Sequence, residues 1–246
     1  MRYLTSSTGA GRLFGRMKDT VERYLIDPLF PLACEQCSAA VVGEERVLCA
    51  ACMEKLTPID RIRKDRCCRC DAIMTGTVCE CTTAAFGTNR SLFDYEDVSM
   101  LMHRMKFSKR YSLARMFGTL MAEREADYIR RHDVIIPVPL HPRRRRERGY
   151  DQARIIAHAA GSAGVPVCEA AARRRYTRAL TLTESAAERR VMVADAFSIT
   201  DEDALCGRAV LLIDDVVTTG STLSELARCV CEAGARCADV LSIARA

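Results

Sequence analysis

Nine of the chain's 14 cysteines lie between residues 34 and 81, and this crowding constrains the fold more than any other feature. So short a stretch buries too little apolar surface to hold itself together, so something else must close it. The pairs Cys34-x-x-Cys37 and Cys49-x-x-Cys52, separated by 11 residues, offer four thiolates on two knuckles, the donor set that tetrahedral Zn²⁺ takes. A second set follows as Cys67, Cys70, Cys79 and Cys81, with Cys68 wedged beside its first member and a tighter Cys-x-Cys at its end. These eight positions predict a structural double zinc ribbon over residues 34–85, holding one or two ions. Four-cysteine sites are coordinatively closed, which argues against a catalytic zinc. A redox Cys-x-x-Cys is the alternative, but one pair would serve it and several are present.

Beyond residue 85 the cysteine density collapses. The remaining five (Cys168, Cys206, Cys229, Cys231, Cys237) sit in apolar or helical contexts and read as small buried hydrophobes. This shift divides the 246 residues into a helical segment 1–33, the ribbon 34–85 and a domain 86–246. Residues 12–26 have apolar positions near a 3.6 period and stop at Asp27-Pro28. They predict a packing helix, with Asp19 and Glu22 weakening a membrane-surface reading of its basic residues. No apolar run reaches the roughly 18 residues of a membrane span, and residues 1–33 lack the apolar stretch of a signal peptide. A cytoplasmic location follows as the expectation. There thiols stay reduced and paired cysteines bind metal before they form disulfides.

The net charge is only +5, from 37 basic and 32 acidic residues, which excludes a uniformly basic nucleic-acid coat. Positive charge is concentrated instead at residues 143–148, with five arginines, and at 173–175, with three. Such runs are either solvated faces or sites for phosphates and nucleic acid.

Downstream, the pattern becomes α/β. Residues 90–95 have strand character, and 97–107 and 111–130 read as helices. Residues 134–138 form a short apolar strand, 151–163 a helix, 165–168 a second short strand. Then 209–213 form a continuous apolar strand entering an acidic turn, 222–233 a helix and 238–243 a last strand. Alternation of this kind predicts a mostly parallel sheet with flanking helices, whose ligands bind at the carboxyl ends of the strands.

The sharpest local signal sits at one such end. Strand 209–213 delivers Asp214 and Asp215, then Val216, Val217, Thr218, Thr219, Gly220, Ser221 and Thr222 at the start of a helix. Unpaired N–H groups and the dipole at a helix N-terminus bind phosphate, hydroxyls add donors, and glycine lets the backbone come close. Two carboxylates beside them suit ribose hydroxyls or a Mg²⁺ shell. A capped helix alone explains the hydroxyls, but not the paired carboxylates. The Gly-Lys spacing of a Walker A loop is absent.

This stretch resembles the phosphoribosyl-pyrophosphate (PRPP) signature of type I phosphoribosyltransferases, and its surroundings resemble the ComF competence-protein family. Pro137-Val138-Pro139-Leu140-His141 and Arg148-Gly149-Tyr150-Asp151-Gln152 match that family's segments, with Asp151 replacing the usual Asn, and the upstream cysteines match its zinc ribbon. The resemblance implies that Asp214 and Asp215 hold the PRPP ribose with Mg²⁺ and that residues 218–222 cradle its 5′-phosphate. The loop 139–148, including Pro139, Leu140 and Arg148, would face pyrophosphate together with Lys106. Before Ala196-Phe197, Arg189 keeps the family position, whereas Met192 stands for an Asn and Thr181 for a Gln, in a stretch that acts as a lid in related enzymes. The implied function is PRPP binding in the handling of imported single-stranded DNA, with DNA-uptake proteins as partners. The alternatives are an active phosphoribosyltransferase with an unknown acceptor and a zinc scaffold that has lost its ligand.

Overall fold

The computed structural model describes residues 32–41, 47–59, 66–67, 69–74, 79, 84–176 and 193–246. The predicted helix over 12–26, Cys68, Cys81, Thr181, Arg189 and Met192 lie outside these residues. Two compact units divide the chain, Met1–Lys55 and Leu56–Ala246. The boundary falls between the two cysteine sets.

In the smaller unit, β1 (Leu32–Ala33) pairs antiparallel with β2 (Ala40–Val41), and a one-turn helix α1 (Ala50–Glu54) follows. The knuckle between the strands closes through Cys34 N–H to Ala39 O at 2.7 Å and Ser38 N–H to Cys34 O at 2.9 Å. Such tight turns bring paired cysteines to one side.

The larger unit is built on four parallel strands. In chain order these are β3 (Asn89–Asp94), β4 (Val134–Pro137), β7 (Ala209–Val217) and β8 (Cys237–Arg245), arranged β3-β8-β7-β4. A short antiparallel pair, β5 (Ala171–Arg173) with β6 (Phe197–Ile199), stands apart from them. The helices are α2 (Tyr95–Phe107), α3 (Tyr111–Arg124), α4 (Ala126–Ile129), α5 (Pro142–Arg148), α6 (Gln152–Ala160) and α7 (Ser221–Glu232). Strand β7 explains its own apolar run. Val210 and Leu212 pack with Leu223, Leu226, Ala227 and Val230 of α7, while Leu211 and Ile213, equally buried, face the side where α6 packs. A strand covered on both faces has no polar positions to alternate.

The expected mostly parallel sheet with flanking helices is therefore observed, with local differences besides the unforeseen β5–β6 pair. Strand β7 runs on to Val217, past the predicted turn, because β8 pairs with it as far as Val217↔Arg245. Residues 165–168 make only a single parallel bridge, Ile135↔Val167, flanked by the Ile135 N–H to Pro166 O bond at 2.8 Å and the Cys168 N–H to Ile135 O bond at 2.8 Å. The predicted helix over 111–130 breaks at Glu125, whose carboxylate is buried and paired with Arg90 at 3.0 Å. The segment 139–148, expected as a loop, contains α5. Pro142 at its first turn has a pre-set φ and no N–H to satisfy, His141 Nδ1 accepts the Arg143 N–H, and Gly149 ends the helix at φ 80°.

The second cysteine knuckle is fastened to β3. Asn89 N–H donates to Arg69 O at 2.6 Å, Ser91 N–H to the Asp71 carboxylate at 3.0 Å, and Ile59 N–H to Leu92 O at 2.9 Å. Arg66 spans the same junction, reaching Asp71 O at 2.8 Å and the Asp94 carboxylate at 2.5 Å.

Helices α3 and α6 approach through Gly118. A Cβ there would lie 2.4 Å from the Ile156 carbonyl oxygen and 2.6 Å from the Ala159 Cβ. Alanine favours a helix over glycine by about 1 kcal/mol, but overpacking against backbone costs about 1–3 kcal/mol. Gly118→Ala is therefore expected to lower the urea midpoint of the larger unit. An unchanged or raised midpoint would show that the helices part freely.

Candidate functional site

The carboxyl ends of β4 and β7 open into a cavity of about 600 Å³. Asp214, Asp215, Val216, Thr218 and Thr222 line one wall, and Lys106, Pro139, Leu140, Arg144, Arg148 and Arg173 another. The cavity thus gathers Lys106, Pro139, Leu140 and Arg148 with the β7 carboxylates. Val217 instead turns into the core beneath the turn with Phe86 and Leu223. Gly220 is buried and Thr219 exposed, its hydroxyl 3.0 Å from that of Ser221.

Each wall has a local cause. Gly220 precedes α7 at φ 74° and no side chain among the described residues caps that helix, so its first N–H groups keep their capacity to donate outward. Helix α2 carries Glu96 and Asp97 in its first turn and Arg104 and Lys106 in its last, the order that its dipole favours. Its end is held by the Tyr150 hydroxyl donating to Met105 O. From there Lys106 Nζ reaches Asp215 Oδ1 at 3.1 Å.

The electrostatics are unbalanced on both sides. Burial and the neighbouring Asp215 push Asp214 up to about 7, against the Asp215 N–H, Lys106 and Arg173, which favour its ionised form. That N–H lies 2.8 Å from Asp214 Oδ1. Opposite, burial and then Arg144 lower the pKa of Arg173. Like charges held together on each wall suit a ligand carrying both hydroxyls and anionic groups.

Arg144 and Arg173 were not singled out for this site, since each sits in an arginine run that composition reads as one patch. The i,i+4 spacing of Arg144 and Arg148 was the available signal, for it puts both on one helix face. The rest of α5 looks elsewhere. Arg145 lines a second hollow of about 710 Å³ behind the helix, with Arg115, Arg154 and His158. Arg154 is partly offset there by Glu169 at 2.5 Å. Asp151 borders both hollows and caps α6 through the Arg154 N–H. Asp is as good a cap as Asn, so the replacement keeps the turn.

Two cysteine groups meet the geometry of a metal centre. In the smaller unit the sulfurs of Cys34, Cys37, Cys49 and Cys52 lie within 4.8 Å of one another, and in the larger unit so do those of Cys67, Cys70 and Cys79. A tetrahedral ion with about 2.3 Å metal–sulfur bonds sets its sulfurs about 3.8 Å apart. The Cys37–Cys49 and Cys70–Cys79 separations, 3.6 and 3.4 Å, fit. Burial raises the Cys34 pKa, but N–H donation from Cys37, Cys49 and Gln36 more than offsets it and brings the thiol down to about 6.

No protein-family model matches the chain. Competence protein F of Haemophilus influenzae (strain ATCC 51907 / DSM 11121 / KW20 / Rd) is 32% identical over 158 residues, covering 61% of this chain and 69% of that protein. The chain belongs to the competence protein F, or ComF, family. Competence protein ComFC of Streptococcus pneumoniae (strain ATCC BAA-255 / R6) matches over more of it, 82% of this chain and 90% of that protein at 25% identity. Among solved structures, a purine phosphoribosyltransferase from Pyrococcus horikoshii Ot3 aligns with 54% of this chain and 82% of its own at 20% identity, with a TM-score of 0.33. So loose a superposition carries no argument about the site. Among the described residues of this ComF protein, no helix is long and apolar enough to cross a membrane.

Asp214 gives the ComF cleft a pH signature. An acid whose folded pKa is raised stabilises the fold below its unfolded value, near 4, and that contribution is lost as pH rises through about 7. The melting temperature without ligand is expected to lose this contribution between about pH 4 and about pH 7, and Asp214→Asn to flatten that slope. A slope unaltered by the substitution would place the titration elsewhere.

Proposed function

We propose that this ComF protein binds PRPP in the cavity at the ends of β4 and β7 and acts in the cytoplasm on single-stranded DNA entering during natural transformation. One observation carries the reading: the Asp214–Asp215 pair lies beside the N-terminus of α7, Lys106 is ion-paired to Asp215, and Arg144, Arg148 and Arg173 line the same cavity. In this reading the turn 218–222 takes the 5′-phosphate, the two carboxylates take the ribose hydroxyls, and the basic wall with Pro139 and Leu140 takes the pyrophosphate. Mg²⁺, when bound with PRPP, would be held by the carboxylates and would neutralise pyrophosphate charge. The competence names of its relatives support the DNA role, with uptake proteins as partners. Zinc is the metal assigned to both cysteine sets, Cys81 completing the second, and the proposed domains are 1–33, 34–85 and 86–246.

The concentration of cations opposite the carboxylates also favours a second reading, transfer of ribose 5-phosphate to an unknown acceptor. Stabilising a departing pyrophosphate is what those groups would contribute. Calorimetric titration of zinc-loaded protein with PRPP and Mg²⁺, combined with a pyrophosphate assay, separates the two. Binding without release is the expected result, and release would establish the transferase. The double variant Asp214→Asn, Asp215→Asn should bind PRPP on the order of 10² to 10³ more weakly, because charged acceptors are replaced by neutral ones. Its zinc content, about two equivalents, should not change. Unchanged PRPP affinity would remove the ligand from this cavity.

In the same reading the rear hollow of Arg115, Arg145, Arg154 and His158 takes the DNA contact, a choice supported by the way α5 divides its arginines between the two hollows. Binding of a short oligothymidylate should weaken steeply with salt as counterions are released. Arg115→Ala with Arg145→Ala should lower that slope by about 1.4, at roughly 0.7 per phosphate contact on a single strand, and leave PRPP affinity alone, whereas Arg144→Ala with Arg148→Ala should do the reverse. Displacement of the oligonucleotide by free pyrophosphate would show instead that one site serves both.

A further inference from the structure

The second cysteine knuckle and the phosphate turn are distant in sequence but joined by a short run of contacts. The backbone N–H of Arg69, between Cys67 and Cys70, points at the Cys67 sulfur at 3.4 Å. Its guanidinium then gathers three carbonyls of one segment: Phe86 O at 2.5 Å, Gly87 O at 2.7 Å and Ala84 O at 3.1 Å. That segment is the floor of the turn. The Phe86 ring is 2% exposed and packs with Val217 and Leu223, its edge 3.3 Å from where a Cβ on Gly220 would lie. Next to it the Ala85 N–H donates to Ser224 Oγ at 2.9 Å, and the Ser224 N–H to Gly220 O at 2.8 Å.

We propose that Arg69 is a positioning residue for the phosphate turn, through which metal binding at Cys67, Cys70 and Cys79 sets the ligand-ready form of residues 218–222. A metal on the Cys67 thiolate holds the knuckle that carries Arg69. Arg69 holds residues 84–87, and these support Gly220 and Ser224 from behind. The planar, forked guanidinium is what allows one side chain to hold three carbonyls, and an ammonium on a flexible stem does not reproduce it. The link makes the turn, and not the basic wall of the cavity, dependent on the second metal. It rests on the reading of 218–222 as the 5′-phosphate site.

Two measurements on the full-length, zinc-loaded protein test it. Without ligand, amide hydrogen exchange in peptides covering 218–224 should rise in Arg69→Ala, less in Arg69→Lys, and again in wild type stripped by chelator, while peptides covering 137–148 keep their rates. In calorimetry, Arg69→Ala should weaken ribose 5-phosphate at least tenfold and leave Mg²⁺-pyrophosphate affinity unchanged, a selectivity that general destabilisation would not produce. Unchanged exchange at 218–224, or equal loss of both ligands, overturns the link. If exchange responds as expected but wild type binds no ribose 5-phosphate, the link stands as a mechanical one and the assignment of the turn to phosphate falls.

Discussion

Everything in the larger unit depends on β7 being buried on both faces. A strand in that position must be apolar along its length and can release polar side chains only where it leaves the sheet. Asp214 and Asp215 are placed where β7 outruns β4, whose pairing ends at Pro137↔Ile213, while β8 keeps the strand in register to Val217↔Arg245. The carboxylates therefore stand on a hydrogen-bonded strand, which fixes their spacing to Lys106 and to the turn more tightly than a loop would.

The cost of this placement appears as charge. Burial first and the neighbouring Asp215 second disfavour ionisation of Asp214 and push its pKa up to about 7. On the facing wall Arg144 and Arg173 oppose each other in the same way. The Lys106–Asp215 pair at 3.1 Å offsets part of the first imbalance and must be given up, wholly or partly, when another cation or a hydroxyl approaches Asp215.

How much of this was legible follows from how local each cause is. Strand β7, the turn and α7 are encoded by adjacent residues, and both the elements and most of the lining side chains could be read there. The cysteine pairs were equally local. Helix α5 was not, because five arginines carry no apolar periodicity, although Pro142 and Gly149 mark its ends. The β5–β6 pair joins three residues to three others far along the chain, and such pairing leaves no pattern in either segment. Arg69 reads as one more surface arginine in a basic sequence. Only the fold brings residues 84–87 within reach of its guanidinium.

The hydrogen bonds that fasten the second knuckle to β3 have one further consequence. Strand β3 lies at the border of the sheet, and a border strand with free N–H and C=O groups recruits strands from other molecules. Here Arg69 O, the Asp71 carboxylate and the Ile59 N–H occupy such groups on Asn89, Ser91 and Leu92. The cysteine knuckle is thus a stopper against aggregation as well as a metal site, and its loss would leave the sheet open to edge-to-edge growth.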